Sequence, residues 1–192
     1  MSRVKAKLMD ETAVQRAWLR VAHQISERNP QLDKLCLVGI RRRGIPLAQQ
    51  LCQNLAQIAG FYPSCGELDI HFYRDDLTQA ASDPVCKGAV LPFPVEGKTI
   101  ILVDDVLYTG RTVRAAMEAV FSLGRPAAIQ LAILIDRGHR ELPFRADYVG
   151  KNIPTSHRES IAVRIPPYDP ETGVYILEAS AYRTDGNCTN GG

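Results

Sequence analysis

Cysteine is scarce and irregularly placed in this 192-residue chain: five residues, at positions 36, 52, 65, 86 and 188, with no Cys-x-x-Cys pair. An odd, scattered set argues against a disulfide framework or a zinc site. Cys36 and Cys52 stand in apolar segments and are expected to be buried thiols. No apolar run approaches the length that crosses a bilayer, and no signal-type apolar stretch stands near the first residues. The expectation is a cytoplasmic protein with no membrane role, in which the glycosylation sequon Asn187-Cys188-Thr189 goes unused. Neither sign of charge dominates. Lys and Arg number 23 against 21 Asp and Glu, a formal net charge of +2. Bulk basicity is therefore no route to nucleic acid, and only a local patch remains. Two common phosphate-binding signatures, Gly-x4-Gly-Lys-Ser/Thr and Gly-x-Gly-x-x-Gly, are also missing. Any anion site must be built another way.

What is present is an ordinary globular composition, 45% hydrophobic and 23% charged, at a length that fits one domain with a substantial core. A first helix is expected over Asp10–Arg28, where Val14, Ala17, Trp18, Val21, Ala22 and Ile25 follow helical spacing. Asp10 or Thr12 can cap it, and Thr12-x-x-Gln15 reads as a capping box. Strands over Leu35–Ile40, Glu67–Tyr73, Lys98–Val103 and Ile129–Ile135 alternate with helices over Ile45–Ile58 and Gly110–Leu123. Gly124 and Pro126 close the last helix. Short strands follow at Asp147–Gly150, Ile161–Ile165 and Val174–Leu177. This order predicts an α/β fold with a central, mostly parallel sheet flanked by helices. It occupies a single domain over residues 1–180, and the polar tail at 181–192 is expected to be disordered.

The most informative run is Thr99 to Thr112, Thr-Ile-Ile-Leu-Val-Asp-Asp-Val-Leu-Tyr-Thr-Gly-Arg-Thr. An apolar strand leads to two carboxylates, Asp104 and Asp105, where the strand is expected to end. Tyr108, Thr109, Gly110 and Thr112 then precede a helix. Ligands of open α/β sheets sit at the carboxyl ends of strands, and a helix N-terminus offers N–H groups to an anion. The run therefore combines a phosphate cradle with two acids suited to sugar hydroxyls. An ordinary capped turn needs only one acid. A second strand-to-helix turn, Gly39-Ile40-Arg41-Arg42-Arg43-Gly44, suits a dense polyanion; alone it reads as a solvated basic turn, and beside the first turn as a binding loop. Residues 74–90 form a loop longer than compact domains usually keep without purpose. Asp136-Arg137-Gly138-His139-Arg140 follows a buried strand and is dense in hydrogen-bonding groups. On the first helix, Arg16, Arg20, His23 and Glu27 form a polar stripe with Arg28 alongside; without further context this is a solvated face.

The strand, acid pair and Thr-Gly-x-Thr loop resemble the phosphoribosyl-pyrophosphate (PRPP) signature of the type I phosphoribosyltransferases. From Leu8 to about Leu177 the chain is similar to a narrower family, the bifunctional pyrimidine operon regulators/uracil phosphoribosyltransferases. The matching stretches include Phe-Tyr-Arg-Asp-Asp-Leu, Asp-Arg-Gly-His-Arg-Glu-Leu-Pro and Asp-Tyr-Val-Gly-Lys-Asn-Ile-Pro-Thr. The resemblance implies a type I phosphoribosyltransferase fold with a small hood, in a homodimer or higher homo-oligomer. It implies PRPP binding by residues 103–112 (Val103, Asp104, Asp105, Val106, Leu107, Tyr108, Thr109, Gly110, Arg111, Thr112), with Asp104 and Asp105 as the catalytic acids. Pyrophosphate would meet Ile40, Arg41 and Arg42, joined by Arg74 and Lys87 when the loop at 74–90 closes. The base segment would be Asp136, Arg137, His139 and Arg140. The implied cofactor is Mg²⁺, held through PRPP and not by dedicated protein ligands. The implied partners are uracil, uridine nucleotides and a hairpin in pyrimidine operon leader mRNA. RNA contacts would fall to Arg16, Arg20, His23, Arg28, Lys151 and Thr155. Leu19 stands where the family pattern has Thr, exchanging a hydroxyl for an apolar side chain. An enzyme without RNA control, or a regulator using the PRPP site only as a nucleotide sensor, are the alternatives.

Overall fold

The computed structural model describes residues 3–70 and 89–178. Arg74, Lys87, most of the loop at 74–90 and the tail at 181–192 lie outside the described residues.

Helix α1 (Glu11–Arg28) buries Val14, Trp18, Val21, Ala22 and Ile25 along one stripe. Asp10 is its N-cap, its carboxylate accepting from the Ala13 N–H at 2.8 Å. The capping box expected at Thr12 is therefore not the one used, and Gln15 instead donates to Glu11. Trp18 Nε1 donates to the Leu47 carbonyl at 2.8 Å, fixing α1 on α2 (Gly44–Ala59).

Strands β2 (Leu35–Ile40), β3 (Ser64–Leu68), β4 (Ala89–Val90), β5 (Thr99–Leu107), β6 (Ala128–Asp136) and β7 (Tyr148–Asn152) form one sheet. Its order is β4-β3-β2-β5-β6-β7. All neighbours are parallel except β3 and β4. Alternate residues feed two cores, as strand pleating requires. Leu37, Ile101 and Val103 face α1 and α2, whereas Val38, Ile100 and Leu102 face α3 (Arg111–Leu123).

Three expectations change. The third strand starts at Ser64 and not at Glu67, because its parallel register runs from Cys36↔Ser64 to Ile40↔Leu68. Its early Gly66 hides the strand signal. Strand β5 does not end before the acids but runs through them to Leu107. The neighbouring strand continues alongside, pairing Asp104 with Ile133 and Leu107 with Asp136. Finally, β1 (Arg3–Met9) precedes the first helix. It joins β8 (Glu159–Arg164) and β9 (Gly173–Glu178) in an antiparallel sheet of order β1-β9-β8, the hood. Most of β1 is exposed, so its sequence carries little apolar patterning.

Candidate active site

Two adjacent strand-to-helix turns meet at the carboxyl edge of the sheet. The first, from β5 into α3, begins with the acids. The Asp104 side chain is buried, and its Oδ1 accepts the Asp105 N–H at 2.9 Å; Asp105 Oδ1 accepts the Val106 N–H, also at 2.9 Å. Burial pushes the Asp104 carboxyl well above the usual carboxylate range, and the neighbouring Asp105 charge adds to it. Burial raises Asp105 too, opposed by its hydrogen bond with Asp104 and by the Arg43 charge. Side by side, the pair is a site for hydroxyl donors.

Beyond Leu107 and Tyr108, Gly110 is the N-cap of α3, at φ +92°, a left-handed conformation that favours glycine. A Cβ there would also come within 2.9 Å of the Phe144 ring and 3.3 Å of Leu142. Having no side chain, Gly110 caps none of the first-turn N–H groups; that of Arg111 donates to Thr109 Oγ1 at 3.4 Å. Thr109 holds the turn in place, its carbonyl accepting the N–H groups of Glu141 and Leu142 at 3.1 and 3.0 Å. Arg111 pairs with Glu141 on the surface. Thr112 is half-buried at the second position of the helix.

The second turn leads from β2 into α2. Glycines at both ends let the backbones touch: a Cβ on Gly39 would stand 2.6 Å from Gly44 O, and one on Gly44 would collide with the Val103 carbonyl. The arginine turn thus lies directly against the strand that carries the acids. The Arg41–Arg42 peptide is cis. Ile40 is buried in the strand end. Arg41 pairs with Asp69 at 3.0 Å, and Arg43 pairs with Asp169 through two hydrogen bonds of 2.9 and 3.0 Å. Among the described residues Arg42 has no ion-pair partner and is exposed.

The segment after β6, expected from the sequence to meet the base, is largely committed to the protein. Arg140 is half-buried; it pairs with Asp136 and donates to the carbonyls of Tyr108, Gly138 and Phe144 at 2.9, 3.1 and 3.0 Å. It braces the turn from β5 into α3. Arg137 is buried, donating to Thr155 Oγ1 at 3.0 Å and to the Glu159 carbonyl at 2.7 Å, with its guanidinium 4.0 Å from the centre of the Tyr108 ring. His139 has φ +57°; its Nε2 meets the Thr155 carbonyl, and its ring centre lies 4.2 Å from that of His157, the planes tilted by 53°. Tyr108, His139 and His157 are what this segment leaves partly open to a ligand.

On α1, Arg16, Leu19, Arg20, His23 and Arg28 are all exposed. Arg20 donates to the carbonyls of Val149 (3.1 Å) and Gly150, one residue from Lys151. Arg28 pairs with Asp147 at 2.9 Å. The helix stripe and the edge strand β7 therefore form one surface that includes Lys151. Thr155 is not on it: the residue is buried with Arg137 and His139. Sequence reasoning missed Asp69, Asp169 and His157. Each acquires its role from a partner far away in the chain, so no local pattern marks it.

Among the described residues no helix is long and apolar enough to cross a membrane. No cluster of three or more His, Cys, Asp or Glu side chains comes together among them either.

Residues 9–167 match the phosphoribosyl transferase domain. The chain is 56% identical over 180 residues to the Bifunctional protein PyrR of Pelotomaculum thermopropionicum, covering 94% of this chain and 99% of that protein. It is 54% identical over 174 residues to the protein of the same name from Clostridioides difficile, covering 91% and 98%. Among solved structures, hypoxanthine phosphoribosyltransferase of Trypanosoma cruzi superposes with a TM-score of 0.69 at 20% identity, over 92% of this chain and 98% of that one. The Staphylococcus aureus enzyme gives 0.70 at 21% identity, over 93% and 96%. At these identities the structures share the fold alone.

Proposed function

Because the chain belongs to the phosphoribosyl transferase family, we propose that it joins uracil to PRPP, giving UMP and pyrophosphate, and that it also regulates pyrimidine operon expression through leader mRNA. One observation carries the enzyme reading. An acid pair, Asp104 buried and Asp105 half-buried, is followed at once by a glycine-capped helix N-terminus, at the carboxyl edge of a parallel sheet. Substitution at the anomeric carbon passes through an oxocarbenium-like state. Asp104 and Asp105 hold the ribose hydroxyls of that state with acceptor oxygens already in place. The 5′-phosphate lies on the turn from Val106 to Thr112, against first-turn N–H groups and threonine hydroxyls. Arg42 meets the departing pyrophosphate, with Arg41 beside it. Tyr108 and His139 flank the base; Asp136, Arg137 and Arg140 hold that segment in shape.

The donor set fits Mg²⁺ arriving with PRPP. Two carboxylates in a polar recess are oxygen ligands for a hard cation, too few for a dedicated all-protein cage. When bound, the ion neutralises charge on the pyrophosphate oxygens. The protein acts in the cytoplasm as a homodimer or higher homo-oligomer. The second activity is supported by the basic surface of Arg16, Arg20, His23, Arg28 and Lys151 along α1 and β7. RNA hairpins present single-stranded loops and bulges that proteins read by sequence. Conversion of labelled uracil to UMP, dependent on PRPP and run against hypoxanthine and adenine, tests the first activity. A gel shift with a pyrimidine operon leader hairpin, with and without UMP, tests the second. No UMP from uracil would overturn the enzyme reading. Equal retention of hairpin and scrambled RNA at physiological salt would overturn the regulator reading.

A further inference from the structure

We propose that Arg43 is a positioning residue that clamps the hood over the reaction site through Asp169. Arg43 is the residue from which α2 starts, at the end of the arginine turn. Its Nε and Nη2 donate to the two carboxylate oxygens of Asp169 at 2.9 and 3.0 Å, a forked pair that fixes direction as well as distance. Asp169 lies between β8 and β9. Its Oδ2 also accepts the Ile165 N–H at 3.0 Å, and its own N–H donates to the Ile165 carbonyl at 3.1 Å. The carboxylate is thus held rigidly inside the hood loop before Arg43 reaches it. The side chains are 35% and 16% exposed, sheltered enough for the pair to matter.

The hood has a second strut. Arg137 donates to the Glu159 carbonyl at the start of β8 while stacked on Tyr108. The hood is therefore pinned on both sides of the acid strand: to the base segment by Arg137, to the arginine turn by Arg43. Releasing the Arg43 side leaves the hood held by Arg137 and by the apolar packing of Val163, Ile165 and Val174 on the core, so the loop around Asp169 loosens and its shift falls on the base before it falls on PRPP. Arg43 differs here from Arg42, which among the described residues has no ion-pair partner.

The proposal rests on the uracil transfer reading, and its test separates the two. Steady-state kinetics are compared for wild type, Arg43→Gln, Asp169→Asn, the double variant and the charge-retaining Arg43→Lys, beside amide hydrogen exchange over residues 159–178. Each single variant is expected to raise KM for uracil about tenfold, the loss of one charge-assisted fork, with KM for PRPP within about twofold. The double variant should be no worse than the worse single one, and exchange across 159–178 should rise in all variants. A raised KM for PRPP in Arg43→Gln but not in Asp169→Asn would make Arg43 a pyrophosphate ligand and overturn the clamp. So would additive effects, or Asp169→Asn with wild-type kinetics and exchange. Absence of uracil turnover in the wild type would instead overturn the transfer reading, leaving exchange to decide whether the clamp holds the hood.

Discussion

The two turns at the sheet edge are built from opposite materials. The turn after β5 gathers a buried and a half-buried carboxylate, hydroxyls and a helix N-terminus that its glycine cap leaves without a capping side chain, and its acids have no direct ion-pair partner among the described residues. The turn after β2 gathers three arginines, two of which are already paired with carboxylates from elsewhere in the fold. The first keeps its carboxylates out of ion pairs; the second is mostly a scaffold in which, among the described residues, only Arg42 has no ion-pair partner. A ligand gains most where the protein has left its own groups uncompensated, because nothing must be displaced first. The acid turn should therefore carry most of the rate and the arginine turn mainly affinity for the leaving group.

The largest test of that contrast is Asp104→Asn with Asp105→Asn. Turnover should fall by roughly 10³-fold, as when groups matched to transition-state charge are lost. Stability without ligand should move the other way. Asp104 sits well above the ordinary carboxylate range because it is buried, so the folded state holds its proton longer than the unfolded state does. Wild-type stability must then decline as pH rises from the ordinary value towards the raised one. The double Asn variant should lack that decline and melt higher at neutral pH, read by thermal unfolding across pH. A variant that both melts lower and keeps turnover would break the contrast.

Gly110→Val comes next. It needs a left-handed β-branched residue, and its side chain meets Phe144, so PRPP affinity should drop by about 100-fold and stability by about 1–3 kcal/mol. Calorimetry with PRPP and a melting curve check both. For the arginine turn, Arg42→Ala should weaken pyrophosphate binding about tenfold. Arg41→Ala should weaken it by about threefold or less, since Arg41 must leave Asp69 before it can help. The smallest effect belongs to the exposed Arg111–Glu141 pair. Arg111→Ala should change stability by under about 1 kcal/mol, measured by urea unfolding.

How far each turn could be read in advance follows from the same contrast. Asp, Thr and Gly in the acid turn act through their own backbone neighbourhood, so fourteen consecutive residues, 99–112, declare the chemistry. Only the strand end was misplaced, because the pairing with β6 extends β5 past the acids. In the arginine turn the residues were visible but their state was not. Asp69 and Asp169 are 28 and 126 positions from their partners, and nothing local marks them. The hood's first strand escaped for a similar reason, since β1 is an exposed edge that pairs with β9 at the far end of the chain. Arg140 and Thr155 carry the same lesson: side chains that look like ligand contacts are taken up by carbonyls and neighbours.

The division of labour between the turns is tested most directly by one calorimetric cross-titration. Ribose 5-phosphate and Mg²⁺-pyrophosphate are each titrated into wild type, Gly110→Val and Arg42→Ala. Gly110→Val should lose ribose 5-phosphate and keep pyrophosphate, while Arg42→Ala should do the reverse. If both variants weaken both ligands alike, or if ribose 5-phosphate binds Gly110→Val as it binds wild type, the phosphate does not sit on the acid turn and the account fails.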